Sequence, residues 1–372
     1  MVVTDTDQSI PGKKPRNYLF NQAIDFLCLG GGSLPFLLLL VLLPPEEYRV
    51  YVLAFVLIMT NFINNPHFIG SYQIFYEEFA RKTAPHAALR WRYLIAGVGV
   101  PLAMIGFFLW CIVTVNGALM GQAANAMLFL VGWHYVKQGY GILMVESVLK
   151  RAFFDDREKL ILRYNALTVW LATWMYFNRI LYEREIYGLN YFTVAVPEWL
   201  FLTMLSLCVI AGTLTVGMLI RKGLNSRLPI NGLLAYGTSS YVWLLVAYLN
   251  PLAAMVIPAF HSLQYLAIVS RYQMNKNEAH PRGDGRLLAG LIRTTPARAA
   301  TIRFFLFATV FGAAFFYAIP FVLDMTITYR EEVFGTTMFL FTIWVFINVH
   351  HYFMDNVIWR RDNPEIKEHL FS

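Results

Sequence analysis

The stretch YLIAGVGVPLAMIGFFLWCIVTV, from Tyr93 to Val115, contains no charged side chain. A helix needs about 20 consecutive apolar residues to cross a bilayer, so this stretch predicts a transmembrane helix. Nine further segments of similar character are predicted to be spans: Phe26–Leu43, Arg49–Phe68, Ala123–Leu149, Leu160–Leu181, Glu198–Ile220, Gly232–Leu249, Leu252–Ser270, Ile302–Leu323 and Gly335–Trp359. The sequence therefore predicts an all-α, polytopic integral membrane bundle of about ten helices.

The composition of the whole chain supports this class. Its 372 residues are 58% hydrophobic and only 14% charged, whereas soluble domains carry about 25% charged residues. The apolar segments recur without a long polar block, which predicts one transmembrane domain, residues 26–359, between a cytoplasmic N-terminal segment, 1–25, and a cytoplasmic tail, 360–372. The three cysteines are far apart in the sequence, so neither a disulfide framework nor a thiolate metal site is expected.

Basic residues alternate between the loops as the positive-inside rule requires. If the N-terminus is cytoplasmic, the outside loops hold almost no Lys or Arg beyond Arg184 and Arg330. This pattern predicts an N-in/C-in topology with a basic cytoplasmic loop, residues 271–302, in the inner (cytoplasmic) membrane of a bacterium. The net charge of +7 then follows from the topology, and its expected partners are membrane lipids rather than nucleic acid.

The seventh and eighth segments form one long apolar run that is interrupted by Asn250 and Pro251. Asn-Pro is a turn signal, so the run predicts a tight helical hairpin. If the run were a single helix, the count would be nine and the C-terminal half would be inverted.

Five of the eight histidines fall inside predicted spans, on the second, fourth, eighth and tenth: His67, His134, His261, His350 and His351. These spans all run from outside to inside and carry the histidines at overlapping depths, so they can surround one centre. Polar groups at bilayer depth are costly and are functional candidates by default, and imidazole binds zinc, iron and copper. The five are therefore predicted as the ligand set of a metal or haem site. The other three are predicted to be solvated: His86, His280 and His369.

Two charged residues accompany these histidines and are candidate catalytic residues. Asp355 follows His351 by four positions, so one metal could bind both, or the carboxylate could accept a hydrogen bond from a ligating imidazole. Lys137 shares a helix face with His134 and could hold an anionic head group or a reduced oxygen species, or extend to the inner interface. Amides near the histidines are predicted to hydrogen-bond behind the ligands: Asn64, Gln138, Gln264 and Asn348.

The histidine layout resembles that of multi-histidine membrane iron oxygenases, in particular the Brp/Blh-type β-carotene dioxygenases, whose histidines are distributed over several spans around one non-haem iron. The resemblance rests on His67, His134, His261 and the His350-His351 pair, and it covers most of the chain. Membrane fatty-acid hydroxylases and desaturases differ, because they use HxxxH and HxxHH clusters. The resemblance implies iron on imidazoles, dioxygen and an apolar substrate.

Four functions are compatible with these patterns. The first is a membrane metalloenzyme with non-haem iron that oxidises a lipid-soluble small molecule with dioxygen and draws on an electron donor. The second is a haem b redox protein, and another transition metal is a further alternative for the cofactor. The third is a proton-coupled transporter that relays protons through the intramembrane histidines, Lys137 and Asp355. The fourth is a structural scaffold.

Overall fold

The computed structural model describes residues 17–42, 45–180, 185–186, 189–190, 193–250, 253–280 and 286–371. The structure is 84% helical, which confirms the all-α prediction. The α-helices of this described part are, in chain order, α1 (Gln22–Phe26), α2 (Ser33–Leu42), α3 (Pro45–Met59), α4 (Asn65–Tyr76), α5 (Phe79–Lys82), α6 (Arg90–Leu94), α7 (Val100–Val113), α8 (Gly117–Leu149), α9 (Asp156–Ile180), α10 (Glu198–Asn225), α11 (Ile230–Gly237), α12 (Trp243–Leu249), α13 (Ala253–Ala279), α14 (Arg286–Leu291), α15 (Pro296–Ala313), α16 (Ile319–Thr326), α17 (Glu331–Phe334), α18 (Met338–Ile358) and α19 (Pro364–Leu370).

Short π-helical turns join several of these helices into longer ones. In the described ranges they are Leu27–Gly31, Thr60–Asn64, Ile95–Gly99, Thr238–Val242 and Ala314–Ala318. Such turns occur frequently at functional sites in helical proteins. In the first of them, Gly30 has a φ of 152°, a conformation that side chains rarely adopt, and the chain bends by 40° between the flanking helices.

Extended structure in the described residues is confined to one short hairpin. Its strands β1 (Glu185–Ile186) and β2 (Leu189–Asn190) are antiparallel, with Glu185 opposite Asn190. The hairpin follows α9, in a loop that is predicted to lie on the non-cytoplasmic side of the membrane. It leaves the helical architecture unchanged.

The ten predicted segments are helical over most of the residues that the structure describes. Several helices extend beyond the predicted ends: α8 begins at Gly117 rather than Ala123, and α13 continues to Ala279 rather than Ser270. Leu43, Leu181 and the Pro251-Leu252 pair lie outside the described residues, so the tight hairpin turn stays a prediction.

In the part of the chain that the structure describes, four helical runs are long and apolar enough to cross a membrane: Arg49–Tyr76, Arg90–Val113, Glu198–Asn225 and Pro296–Thr326. The bent pair formed by α1 with its π turn and α2 would be a fifth. Neither α8 nor α18 is in this set. Three of the predicted ligands, together with Lys137 and Asp355, lie on these two helices and lower the mean hydropathy of both. Ten spans, the topology and the domain limits therefore stay predictions.

The long helices pack so that four of them surround one interior region. Helix α18 lies against α4 and α8, while α13 lies against α4 and the preceding π turn, Thr60–Asn64. Tyr265 and Val269 of α13 belong to the same buried cluster as Met354 and Ile358 of α18. In a bilayer, close packing and interhelical hydrogen bonds rather than hydrophobic burial hold such helices together.

Two glycines allow α8 and α11 to approach closely. A Cβ atom on Gly139 would lie 2.8 Å from the Cβ of Ser239, and one on Gly232 would lie 2.8 Å from the Cβ of Glu146. Small residues commonly permit such close helix contacts in membrane proteins. The approach also brings the hydroxyl of Ser239 to 3.3 Å from Gln264 Oε1, beside the interior region.

The predicted tail includes a helix, α19, that packs back on α13. Lys276 Nζ lies 2.6 Å from Glu365 Oε1 and 2.7 Å from Glu77 Oε2. Burial raises the pKa of the Glu365 carboxyl, but Lys276 and Lys82 outweigh burial and lower the pKa to about 2. The prediction of a solvated His369 is wrong, because this packing leaves the residue only 4% exposed. His86 and His280 are exposed, as predicted.

Candidate metal centre

Three helices supply the four side chains of the candidate centre. His67 comes from α4, His134 from α8, and both His351 and Asp355 from α18. Because His351 and Asp355 are four residues apart, they share one face of their helix. All four are buried, with exposed fractions of 1%, 9%, 2% and 5% in the order given. We refer to them as the four-residue group.

The ligand atoms of the four-residue group, one from each side chain, all lie within 4.8 Å of one another. His134 Nε2 is 3.2 Å from His351 Nε2, and Asp355 Oδ2 is 3.7 Å and 3.6 Å from these two nitrogens. Atoms that bind one ion at about 2.1 Å are roughly 3.0–3.4 Å apart in octahedral or tetrahedral coordination. The group can therefore hold a metal ion, with donors that suit zinc, iron or copper.

Several polar atoms in this region have no hydrogen-bond partner among the described residues. They include His67 Nε2, His351 Nδ1 and Asp355 Oδ2, which all belong to side chains of the four-residue group. A buried polar atom without a partner costs about 1–3 kcal/mol. A cation bound between His67 Nε2 and Asp355 Oδ2 would give both atoms a partner, so the unpaired atoms agree with the ligand spacing.

A hydrogen-bonded chain behind His67 leaves its Nε2 free to bind a metal. Ser262 Oγ donates to Asn64 Oδ1 at 2.8 Å and lies 3.1 Å from His67 Nδ1. Since the hydroxyl proton is used toward Asn64, the serine oxygen accepts the proton of His67 Nδ1. His67 is then the tautomer with a lone pair on Nε2, which is the arrangement usual for metal-binding histidines.

Asp355 is oriented by hydroxyl groups on its other oxygen. Ser71 Oγ lies 3.0 Å and the hydroxyl of Tyr265 lies 3.2 Å from Asp355 Oδ1, and the two hydroxyls form a hydrogen bond with each other at 2.5 Å. Trp359 Nε1 in turn donates to the tyrosine hydroxyl at 3.3 Å. With Oδ1 satisfied in this way, Oδ2 is the oxygen that faces His134 and His351.

His261, on α13, lies beside the four-residue group. Its ring centroid is 5.3 Å from that of His67 and 5.0 Å from that of His134. Tyr135 stacks on its face at 3.9 Å. Neither ring nitrogen has a hydrogen-bond partner among the described residues, so this imidazole is available as a further ligand.

Two of the predicted amides hold the backbone around His261 rather than a ligating ring. Gln138 Nε2 donates to the carbonyl of His261 at 2.9 Å and to Gln264 Oε1 at 3.2 Å. Gln264 Nε2 donates to the carbonyl of Leu29, in the first π turn, at 2.8 Å. These bonds tie α8 and α13 to the bent first helix pair.

Three further predicted site residues also lie outside the group. His350 faces away from His351: its Nδ1 is 2.8 Å from the Tyr72 hydroxyl and its Nε2 is 3.0 Å from the Ala96 carbonyl. Asn348 donates to a carbonyl of its own helix, at Trp344. Lys137 lies at the surface of α8, where its ammonium donates to Asn356.

Four residues of the site were not among its predicted members: Ser71, Ser262, Tyr265 and Trp359. Three of them have a weak signal in their spacing. Ser71, Tyr265 and Trp359 follow His67, His261 and Asp355 by four positions, so each lies on the same helix face as a candidate ligand. Ser262 carries no such signal, because it is adjacent to His261 and points to a different ligand.

A second set of metal-binding side chains lies at the end of α13 and in α19. His280, Glu368 and His369 bring ligand atoms within the same 4.8 Å, but His280 and Glu368 are exposed.

No protein-family model matches the chain, and neither a curated protein nor a solved structure is significantly similar to it.

Proposed function

We propose that this chain is a membrane-embedded metalloenzyme that uses non-haem iron and dioxygen to oxidise a lipid-soluble substrate. The observation that carries the proposal is the four-residue group, three imidazoles and one carboxylate buried among apolar helices. Histidines with one carboxylate and open coordination positions are typical of non-haem iron oxygenases. The surrounding apolar runs, several of them long enough to cross a membrane, support a lipid-soluble substrate.

The chain's own residues would hold the iron and fix the orientation of its ligands. His67, His134, His351 and Asp355 would hold the iron, while Ser262 and Tyr265 fix the orientation of His67 and Asp355. Bound iron would supply the redox chemistry and the activation of dioxygen, which no side chain can provide. Because the group is buried, bulk water is kept away from it, and this limits side reactions at the site.

The spacing favours a non-haem ion over haem b. Two histidines that bind haem iron lie on opposite sides of the macrocycle, so their nitrogens are roughly 4 Å apart with the ring between them. Here His134 Nε2 and His351 Nε2 are in direct contact at 3.2 Å. A purified protein with a Soret absorption band would instead support haem.

Metal analysis of the purified full chain tests the proposal. We expect about one iron per chain in protein purified without chelator. His351→Ala should lose the metal, while His350→Ala, which alters the neighbouring residue outside the group, should keep it. A His280→Ala background removes the exposed second set, so that metal bound there is not counted. A wild-type protein with only traces of metal, or equal loss in both variants, would overturn the proposal.

A further inference from the structure

A second cluster of metal-binding side chains lies where the end of α13 meets α19. His280 directly follows α13, while Glu368 and His369 are in the last turn of α19. One ligand atom from each of these three side chains lies within 4.8 Å of the other two. The two imidazole rings are 5.7 Å apart between their centroids, at 88° to each other. We call these three residues the tail cluster.

The backbone of each histidine in the tail cluster is held by α13. The amide of His280 donates to the carbonyl of Lys276 at 2.9 Å, which closes the last turn of the helix. Asn275 Nδ2 donates to the carbonyl of His369 at 2.7 Å, and the ring of Tyr272 packs against the His369 ring at 5.9 Å between centroids. The two imidazoles are therefore brought together by the packing of α19 on α13.

The donors of the tail cluster suit zinc. Zinc binds imidazole nitrogen and carboxylate oxygen at about 2.0–2.2 Å, usually in a tetrahedron whose vertices are roughly 3.4 Å apart. Donors within 4.8 Å of one another therefore need only small side-chain rotations to reach one ion, and His280 and Glu368 are exposed. Two histidines and one carboxylate, with water in the fourth position, are a ligand set that zinc takes in proteins. Magnesium and calcium prefer oxygen ligands.

The charges around the tail cluster also favour a cation. The C-terminal ends of α13 and α19 both lie there, and a helix C-terminus carries roughly half a negative charge. Glu368 adds its carboxylate. Lys276, in the last turn of α13, lies 2.6 Å from Glu365 Oε1 and 2.7 Å from Glu77 Oε2, which reduces its repulsion of an ion. Lys367 is exposed and projects about 100° around α19 from Glu368.

A bound ion would hold the end of α19 that its ion pairs do not hold. The helix has 7 residues, fewer than the roughly 12–15 that an isolated helix needs, so its position depends on contacts with the rest of the protein. Glu365, in its first turn, pairs with Lys276 of α13. An ion shared by His280, Glu368 and His369 would join the last turn of α19 to the same helix.

We propose that the tail cluster binds one zinc ion and that this ion fixes α19 against the end of α13. The site is separate from the candidate metal centre. Tyr265, which lies 3.2 Å from Asp355, is 14 positions before Ala279, the difference of their numbers, and thus roughly 21 Å from the end of α13 along the helix. The inference goes beyond the proposed function and does not depend on it.

Hydrogen exchange of the full chain in nanodiscs tests the structural effect of zinc. The wild type is compared in zinc chloride and in EDTA. At a zinc concentration about ten times the dissociation constant, the amides of α19 should exchange about tenfold more slowly than in EDTA. His351→Ala, which removes a ligand of the four-residue group, should keep this protection. His280→Ala should lose it, while His86→Ala, an exposed histidine outside both sets, should keep it.

Zinc binding itself is measured by equilibrium dialysis in the His351→Ala background. His280→Ala and Glu368→Gln should each weaken binding to the tail cluster by more than about tenfold, since loss of a ligand costs at least as much as loss of a group behind it. Both residues are exposed, so these changes should leave the fold intact. In EDTA, their thermal midpoints should equal that of the parent. His86→Ala should bind zinc like the parent.

Three results overturn the proposal. The first is exchange in α19 of the wild type that zinc does not slow. The second is equal zinc binding by His280→Ala and His86→Ala. The third is equal protection by magnesium, which would exclude coordination by imidazole.

The failure of this inference can be separated from that of the proposed function. Iron at the four-residue group in a chain whose α19 does not respond to zinc overturns the tail site alone. Protection by zinc that depends on His280, in a chain that binds no iron, supports the tail site and overturns the metalloenzyme.

Discussion

His134 and His351 meet nitrogen to nitrogen, with their Nε2 atoms 3.2 Å apart. Asp355 Oδ2 is almost equally distant from both, at 3.7 Å and 3.6 Å. Two neutral imidazoles can make this contact only if one of them carries a proton on Nε2. A metal ion would replace that proton and bind both nitrogens and the carboxylate oxygen, with His67 completing the set.

Asp355→Asn should weaken metal binding by more than about tenfold. The amide keeps the shape of the side chain and one oxygen, but it loses the negative charge that a cation prefers. The affinity can be measured by competition with a chromophoric chelator. Asp362→Asn is the control, since Asp362 is exposed and pairs with Arg360. Equal affinities for the two variants would contradict a ligand role for Asp355.

Ser262→Ala should reduce metal affinity by about 10–100-fold without removing a ligand. The change deletes the hydroxyl that joins His67 Nδ1 to Asn64, so the His67 ring loses its fixed tautomer and orientation. Ser147→Ala is the matched control: this hydroxyl is also buried, but it donates to the Met144 carbonyl of its own helix. The same chelator competition would show whether the two variants differ in metal affinity. Equal losses of affinity would contradict the hydrogen-bonding role of Ser262 behind His67.

Gly139→Ala should destabilise the protein by about 1–3 kcal/mol. Its new Cβ would meet the Cβ of Ser239 at 2.8 Å and the Ala235 carbonyl at 3.1 Å, which forces α11 away from α8. Gly141→Ala, two residues later, would meet nothing within 4 Å and should be neutral or stabilising by up to about 1 kcal/mol. Unfolding in a denaturing detergent compares the two, and equal behaviour would exclude tight α8–α11 packing.

The ion pairs of Glu365 should stabilise the fold most above pH 4.5. The ordinary pKa of this carboxyl is 4.5, and its value in the folded protein is about 2. A lowered folded pKa confers stability that is present above the unfolded value and is lost as the pH falls toward the folded one. Glu365→Gln should therefore lower the thermal midpoint at pH 7, with a difference from wild type that shrinks below pH 4.5.

The control for this prediction is Glu368→Gln, on the same helix but exposed. Its midpoint should follow the wild type over the whole pH range. A Glu365→Gln deficit that is the same at pH 7 and pH 3 would mean that the residue acts through packing rather than through its charge.

The positions of the helices could be predicted from the sequence, since apolar runs of bilayer length dominate it. The convergence of His67, His134 and His351 also followed from the direction and depth of the predicted spans. Which of His350 and His351 faces the group could not be predicted, because adjacent residues differ by about 100° around a helix and only the packing of α18 decides between them.

The hydrogen bonds behind the ligands depend on contacts between helices that are distant in sequence. Ser262 reaches His67 across 195 residues, and Tyr265 reaches Asp355 across 90. Nothing local to either residue specifies such a pairing. The buried state of His369 was missed for a similar reason, because it depends on α19 folding back on α13.

The positions of the four ligands along the sequence determine when the site can assemble during synthesis. His67 and His351 are 284 residues apart, the difference of their numbers, and two of the four side chains come from α18 alone. During synthesis, α4 and α8 are complete long before α18 emerges, so the earlier helices must associate with only half of the ligands present. A metal ion that needs all four ligands could bind only after α18 has joined α4 and α8, so metal loading would be a late event.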